Sequence, residues 1–242
     1  MTKCENMADH RVARKLLILT DSRGRDFRNQ IPFIQVPALK VEVIVYSGAT
    51  FETIAIHAIQ LLSSSPDTYD LCAIFAGICS FTERTSINNE HRLHYPLQER
   101  ATKISGVLET ARDLKERFGR KIVFHTIIPA SLPKFFFTRN NSINFFPGIE
   151  EEQNALLKDL ERVNDSLTSL NARAGNATCN LSNRFTSHSL KREYGGEKRI
   201  AYRLSRFSDT NLPDGIHPNP KSVINCLKAI YRAAQRDLGL LH

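Results

Sequence analysis

Apolar residues along the chain fall into short continuous runs separated by longer stretches of helical periodicity. The runs are KLLILT (15–20), VEVIVYS (41–47), LCAIFAG (71–77), KIVFHTII (121–128) and NATCNLS (176–182). The middle ones are apolar on both alternating faces, the pattern of strands covered from both sides. Between them, residues 50–63, 97–117, 150–170 and 220–237 repeat apolar positions with the period of an amphipathic helix. The last has Asn219 at the N-cap position and Pro220 at the first helical position. Strand then helix, repeated, predicts an α/β fold on a parallel sheet. No internal repeat, low-complexity linker or break in composition divides the chain. A single domain over residues 15–240 is expected, after a polar N-terminal segment, residues 1–14.

Composition narrows the class. The chain has 242 residues, 41% hydrophobic and 24% charged, which supports a packed core. Its longest apolar runs are about eight residues, far short of a membrane span. Residues 1–14, MTKCENMADHRVAR, hold no apolar signal-peptide core, so a soluble, cytoplasmic protein is expected. The cysteines (Cys4, Cys72, Cys79, Cys179 and Cys226) are odd in number and scattered. They show no CxxC or Cys/His ligand spacing, so neither a disulfide framework nor a metal or cofactor site is predicted. Lys and Arg outnumber Asp and Glu by 33 to 25. The net charge of +8 favours anionic partners, nucleic acid among them.

Candidate chemistry sits at the ends of these elements. The first strand runs straight into Asp21-Ser22 and a string of arginines. Asp21-Ser22 reads either as a strand stop with a helix N-cap or as a nucleophilic serine at the open end of a sheet. In parallel α/β sheets ligands gather beyond the carboxyl ends of the strands. Ser22, Gly48, Gly77 and the loop after the fourth strand would all emerge there. Near the C-terminus stands NLPDGIHPNP, with Asp214 and His217 three residues apart before the last helix. A serine hydroxyl needs a base to remove its proton, and imidazole is the usual one near neutral pH. The imidazole needs a carboxylate to hold its tautomer. Asp-x-x-His in a tight loop can supply that carboxylate, with Gly215 permitting the turn; as a bare pattern it also reads as a plain turn followed by a helix entry.

Taken together, these stretches resemble the SGNH (GDSL-type) hydrolase family over most of the chain. LTDSRG is similar to the family's Gly-Asp-Ser block, with Thr20 in place of the glycine. VYSGAT is similar to its second block, with Gly48 as the glycine. FAGICSFT stands where Gly-x-Asn belongs, and DGIH is similar to the final Asp-x-x-His block. The combination also resembles the esterase-like domains of proteins encoded by animal retroelements. The resemblance implies a flavodoxin-like three-layer α/β/α sandwich with a five-stranded parallel sheet. It further implies hydrolysis of a small carboxylic ester through an acyl-enzyme. Ser22 would be the nucleophile, His217 the base, Asp214 its orienter, and Ser22, Gly48 and position 79 the oxyanion hole. Asp21 would shape the turn. The departure is Cys79, which stands where the family has an oxyanion-binding asparagine. A thiol is a weak donor; Ser80 would substitute if the loop were shifted by one residue. This departure keeps open an alternative, a catalytically weak or inactive module of this fold that binds RNA or a protein partner.

Two further stretches carry expectations. PKFFFTRNNSINFFPG (133–148) places Phe135, Phe136, Phe137, Phe145 and Phe146 in a loop beside the expected cleft, where they would line an acyl pocket, touch lipid or pack over the sheet. Segment 184–206 holds seven basic residues interleaved with Phe185, Tyr194 and Tyr202. Such a run is either a solvated loop or a contact for single-stranded RNA. Of the remaining histidines, His125 reads as a core residue within a strand. His91 and His94 form an H-x-x-H without a third ligand.

Overall fold

A computed structural model describes residues 13–241 apart from 35, 37, 88, 183, 184, 196, 197 and 208. At 186–195, 198–207 and 209 it describes the backbone alone. In chain order the elements are β1 (Arg14–Thr20), α1 (Phe27–Gln30), β2 (Leu39–Val45), α2 (Phe51–Ser64), β3 (Leu71–Phe75), α3 (Ile78–Phe81), β4 (Glu83–Ile87), β5 (Glu90–His94) and α4 (Arg100–Phe118). They continue as β6 (Ile122–Phe124), α5 (Leu132–Asn140), α6 (Ile149–Arg173), β7 (Thr186–Gly195), β8 (Lys198–Phe207) and α7 (Pro220–Asp237).

The central sheet is parallel, in the order β2-β1-β3-β6. Alternation along its strands divides the core in two. Leu17 and Leu19 of β1, Cys72 and Ile74 of β3, and Ile122 and Phe124 of β6 face α2, α4 and α6. Leu16 and Ile18, with Leu71, Ala73, Phe75 and Val123, face α1 and α7. Helices on both faces make the three-layer α/β/α architecture that the apolar runs predict. Asn219 caps α7 through its side chain, which accepts from the Ser222 N–H at 2.8 Å, with Pro220 following.

The sheet has four strands rather than five. Residues 176–182 pass beside residues 124–126 without forming a ladder, because side chains take up their backbone groups. The Ala177 N–H donates to Asp237 Oδ1 (2.5 Å) and the Ser182 N–H to Thr126 Oγ1 (2.9 Å). These partners lie outside the run. Asn171 of α6 likewise takes the Phe124 N–H (3.1 Å) and carbonyl (2.6 Å), so side chains stand where a fifth strand would pair. Two antiparallel hairpins, β4–β5 and β7–β8, stand apart from the central sheet. The β7–β8 pair falls where a loop was one expectation. Of segment 184–206, where an RNA contact was placed, the Phe185 side chain is described. It is fully buried against α7 and the sheet, so it cannot stack on a base. The other side chains of that segment lie outside the description, as do residues 1–12 of the expected N-terminal segment.

The Phe-rich stretch is also partly helical. Ser131 caps α5, its Oγ accepting from the Lys134 N–H at 3.3 Å. Phe135, Phe136 and Phe146 are buried, while Phe137 and Phe145 remain 46% and 42% exposed, so most of this aromatic surface packs inward. No helix among the described residues is long and apolar enough to cross a membrane.

Candidate active site

Ser22 follows β1 directly and opens a short 3-10 turn, Ser22–Gly24. The turn forms because Asp21 is an extended N-cap whose Oδ1 accepts from the Arg23 N–H at 2.9 Å. Its other oxygen accepts from the Gly77 N–H at 3.4 Å, which ties the end of β1 to the loop after β3. Asp21 is fully buried, and burial pushes its carboxyl above the usual range despite the nearby Arg23 charge. It therefore shapes the turn, and it does not line the cleft. Arg23 is buried as well. Its Nη1 donates to the Ile128 carbonyl, and its Nε and Nη2 have no hydrogen-bond partner among the described residues. Burial lowers its pKa.

The loop before α7 brings the other two residues to Ser22. His217 Nε2 lies 3.1 Å from Ser22 Oγ, and His217 Nδ1 lies 2.6 Å from Asp214 Oδ2. Asp214 Oδ1 accepts from the N–H groups of Ile216 (3.0 Å) and His217 (2.7 Å). Partial burial alone would raise the Asp214 pKa. The hydrogen bonds from His217 and from those two N–H groups outweigh it and hold the carboxyl well below the usual range. The carboxylate is thus ionised throughout the neutral range, and an ionised carboxylate at Nδ1 leaves Nε2 free to accept the serine proton.

Gly215 fixes this loop. Its φ is +80°, and a Cβ there would lie 2.5 Å from the Phe135 nitrogen and 2.6 Å from the Ser131 carbonyl oxygen. The Ser131 N–H donates to the Gly215 carbonyl at 2.7 Å. The histidine loop is therefore clamped backbone to backbone on the start of α5. Sequence reasoning found the glycine but not its anchor. The signal was there in Ser131-Leu132-Pro133, an N-cap followed by a proline in the first turn.

Ser22, Gly48, Cys79, Asp214 and His217 all line one cleft of about 580 Å³. Gly48 sits at φ +77° in the turn after β2. Neither its N–H nor that of Ser22 has an acceptor among the described residues, so both are available as donors. Cys79 lies on α3 facing the same cleft, with its thiol pushed up by burial and by Asp21. A neutral thiol there is a weak hydrogen-bond donor. Ser80 does not replace it. Its Oγ accepts from the Phe51 N–H (2.8 Å) and donates to Glu52 Oε2 (2.8 Å), away from the cleft. That commits Ser80 to α2, and the one-residue shift that would bring it into the site is absent.

The other histidines whose side chains are described lie elsewhere. His125 is buried against Cys179 Sγ at 2.8 Å, with its pKa pushed down to about 3 by burial. His57 stacks on Tyr46, His91 bonds to Ser86, and His94 faces Glu152. No group of three His, Cys, Asp or Glu side chains among the described residues is placed to hold a metal ion.

No protein-family model matches the chain, and no curated protein matches it. Solved structures do. The chain is similar to a lipase/acylhydrolase from Enterococcus faecalis at 15% identity and a TM-score of 0.56, covering 90% of this chain and 94% of that one. It is similar to LAE5, an α/β hydrolase enzyme from the metagenome of Lake Arreo, Spain, at 14% identity and a TM-score of 0.52, covering 95% and 98%. It is also similar to the acetyl xylan esterase AlAXEase at 9% identity and a TM-score of 0.52, covering 90% and 98%. At these identities the likeness is one of fold. It gives no support to the narrower resemblance to retroelement-encoded domains.

Proposed function

We propose that this chain is a serine esterase that hydrolyses small carboxylic esters through an acyl-enzyme. The observation that carries the reading is the unbroken hydrogen-bond chain Ser22 Oγ–His217 Nε2–Nδ1–Asp214 Oδ2, opening into a cleft. In this reading His217 takes the Ser22 proton as Oγ attacks the ester carbonyl. Asp214 stabilises the imidazolium that forms. His217 then returns the proton to the leaving alcohol, and a water repeats the sequence in reverse to release the acid. The N–H groups of Ser22 and Gly48 meet the negative charge that develops on the carbonyl oxygen, with the Cys79 thiol as a weak third donor. The fold shared with a lipase/acylhydrolase and an acetyl xylan esterase is consistent with this chemistry.

The competing reading is a weak or inactive module that binds RNA or a protein partner. It rests on Cys79 in place of the asparagine and on the net charge of +8. Phe185, one of the rings that would stack on a base, is buried in the core. The geometry at Ser22 favours the esterase. Hydrolysis of short and long para-nitrophenyl esters, compared with a Ser22→Ala control, tests it. Turnover that survives Ser22→Ala, or no turnover of any ester, would remove the proposal.

A further inference from the structure

The cleft around Ser22 is lined by Arg25, Arg84 and Arg139, and its one carboxylate is Asp214, which is committed to His217. Among the described residues no Asp or Glu lies within ion-pair distance of any of the three arginines. Two of them also lie over one ring. The guanidinium carbons of Arg84 and Arg139 lie 5.7 Å and 5.6 Å from the centroid of the same ring, Phe135.

That arrangement is held from both sides. Arg84 is on β4, and its partner strand β5 is pinned to the end of α5 by Asn140. The Asn140 Oδ1 accepts from the His91 N–H, and its Nδ2 donates to the His91 carbonyl, both at 2.8 Å. Arg139 is the residue before Asn140 on α5. A second cavity, about 340 Å³, shares Arg84 and Arg139 with the first. It adds Arg92, whose charge is met by Glu90 at 2.6 Å. Arg84 and Arg139 have no such counter-charge. Both arginines are exposed, so water screens their charges from each other, and each remains open to a ligand in the cleft. An anion in the cleft would gain charge-assisted hydrogen bonds from guanidinium groups that no carboxylate among the described residues holds, and the planar guanidinium suits carboxylate and phosphate oxygens.

We propose that the ester taken at Ser22 carries an anionic group, carboxylate or phosphate, bound by Arg84 and Arg139 beside the reacting bond. This rests on the esterase reading for its reaction but not for its binding. The net charge of +8 and the arginines after Ser22 point to an anionic partner, but Arg84 and Arg139 come from separate segments and reach the cleft only in the fold.

Three aryl acetates with different para substituents test it: para-acetoxybenzamide (neutral), para-acetoxybenzoate (carboxylate) and para-acetoxybenzylphosphonate (phosphate-like). Their dissociation constants are measured by calorimetry on Ser22→Ala, which cannot turn them over, at low and high salt. One or both anionic esters should bind about tenfold or more tightly than the amide, and the margin should shrink as salt screens the charges. Whichever anion is favoured identifies the group. Adding Arg84→Gln and Arg139→Gln should bring the three esters level, while Arg84→Lys should keep part of the margin. Equal binding of all three, or a margin untouched by both Gln substitutions, overturns the proposal. If the margin is present but the natural chain shows no Ser22-dependent turnover, the esterase reading fails and the anion site stands. If the neutral ester is turned over through Ser22 and no margin exists, the anion site alone fails.

Discussion

The wall of the cleft that carries Asp214 and His217 differs in kind from the wall formed by α3 and β4. On the first, the carboxylate, both ring nitrogens and the backbone of Gly215 are fixed by hydrogen bonds of 2.6–3.1 Å, and a glycine is locked against the start of α5. On the second, a thiol faces the cleft at the position proposed for an oxyanion donor, and Arg84 lines the same cleft with no carboxylate partner among the described residues. The first wall is organised to move a proton. In the proposed reaction the second wall would meet the negative charge, and its thiol is a weak donor for that. Proton-transfer geometry alone does not make a fast enzyme, because stabilising the charge that develops is commonly the larger contribution.

The comparison breaks most severely at Asp214. Asp214→Asn keeps an oxygen for the Ile216 and His217 N–H groups, so the loop should hold its shape. Its amide would donate to His217 Nδ1 and enforce the wrong tautomer. Turnover of a para-nitrophenyl ester should fall about 10⁴-fold with an unchanged thermal melt. A fall of less than tenfold would mean that His217 does not depend on this carboxylate. The same group sets an acid limit. The Asp214 pKa is lower in the folded state than in the unfolded one. Its contribution to stability is therefore fully present above the ordinary carboxylate range and is lost as pH falls through the folded value.

Much of the first wall could be read in advance. Asp214, His217 and Ser22 are marked by residue type and by their place at element ends, and α7 is announced by Asn219-Pro220. The sheet was legible where strands are buried on both faces, since β1, β3 and β6 have no other way to bury their apolar residues. It was illegible at 176–182, where apolar and hydroxyl positions mimic a strand but Asp237 and Thr126 claim the backbone. The second wall was largely hidden. The β4–β5 hairpin has few apolar residues, and exposed strands leave little periodic signal. Whether position 79 or 80 faces the cleft depended on loop register, which Glu52 and the Phe51 N–H decide by holding Ser80.

A smaller break lies in the anchor of the first wall. Gly215→Ala sets a Cβ against the Ser131 and Phe135 backbone at a φ that L-residues rarely adopt. The change should cost about 2–3 kcal/mol of stability, read by chemical denaturation, and lower turnover with it. Unchanged stability would show that α5 does not hold the histidine loop.

The smallest expected effect sharpens the second wall. Cys79 borders the cleft and is partly exposed, so a longer side chain would extend toward the cleft, and a thermal melt checks that the variant folds. Cys79→Asn supplies an N–H where charge develops in the transition state. Turnover should rise about tenfold, about 1.4 kcal/mol, with little change in KM. A well-folded variant with unchanged turnover would mean that the Ser22 and Gly48 N–H groups, or Arg84, already meet the charge.

The central claim, that His217 activates Ser22 as a nucleophile, is tested most directly by covalent labelling with a fluorophosphonate followed by peptide mass spectrometry. The predicted result is one adduct per chain, located on Ser22, absent in Ser22→Ala and formed at least about 10²-fold more slowly in His217→Ala. An esterase-active chain that forms no Ser22 adduct, or one whose labelling rate is unchanged by His217→Ala, would contradict it.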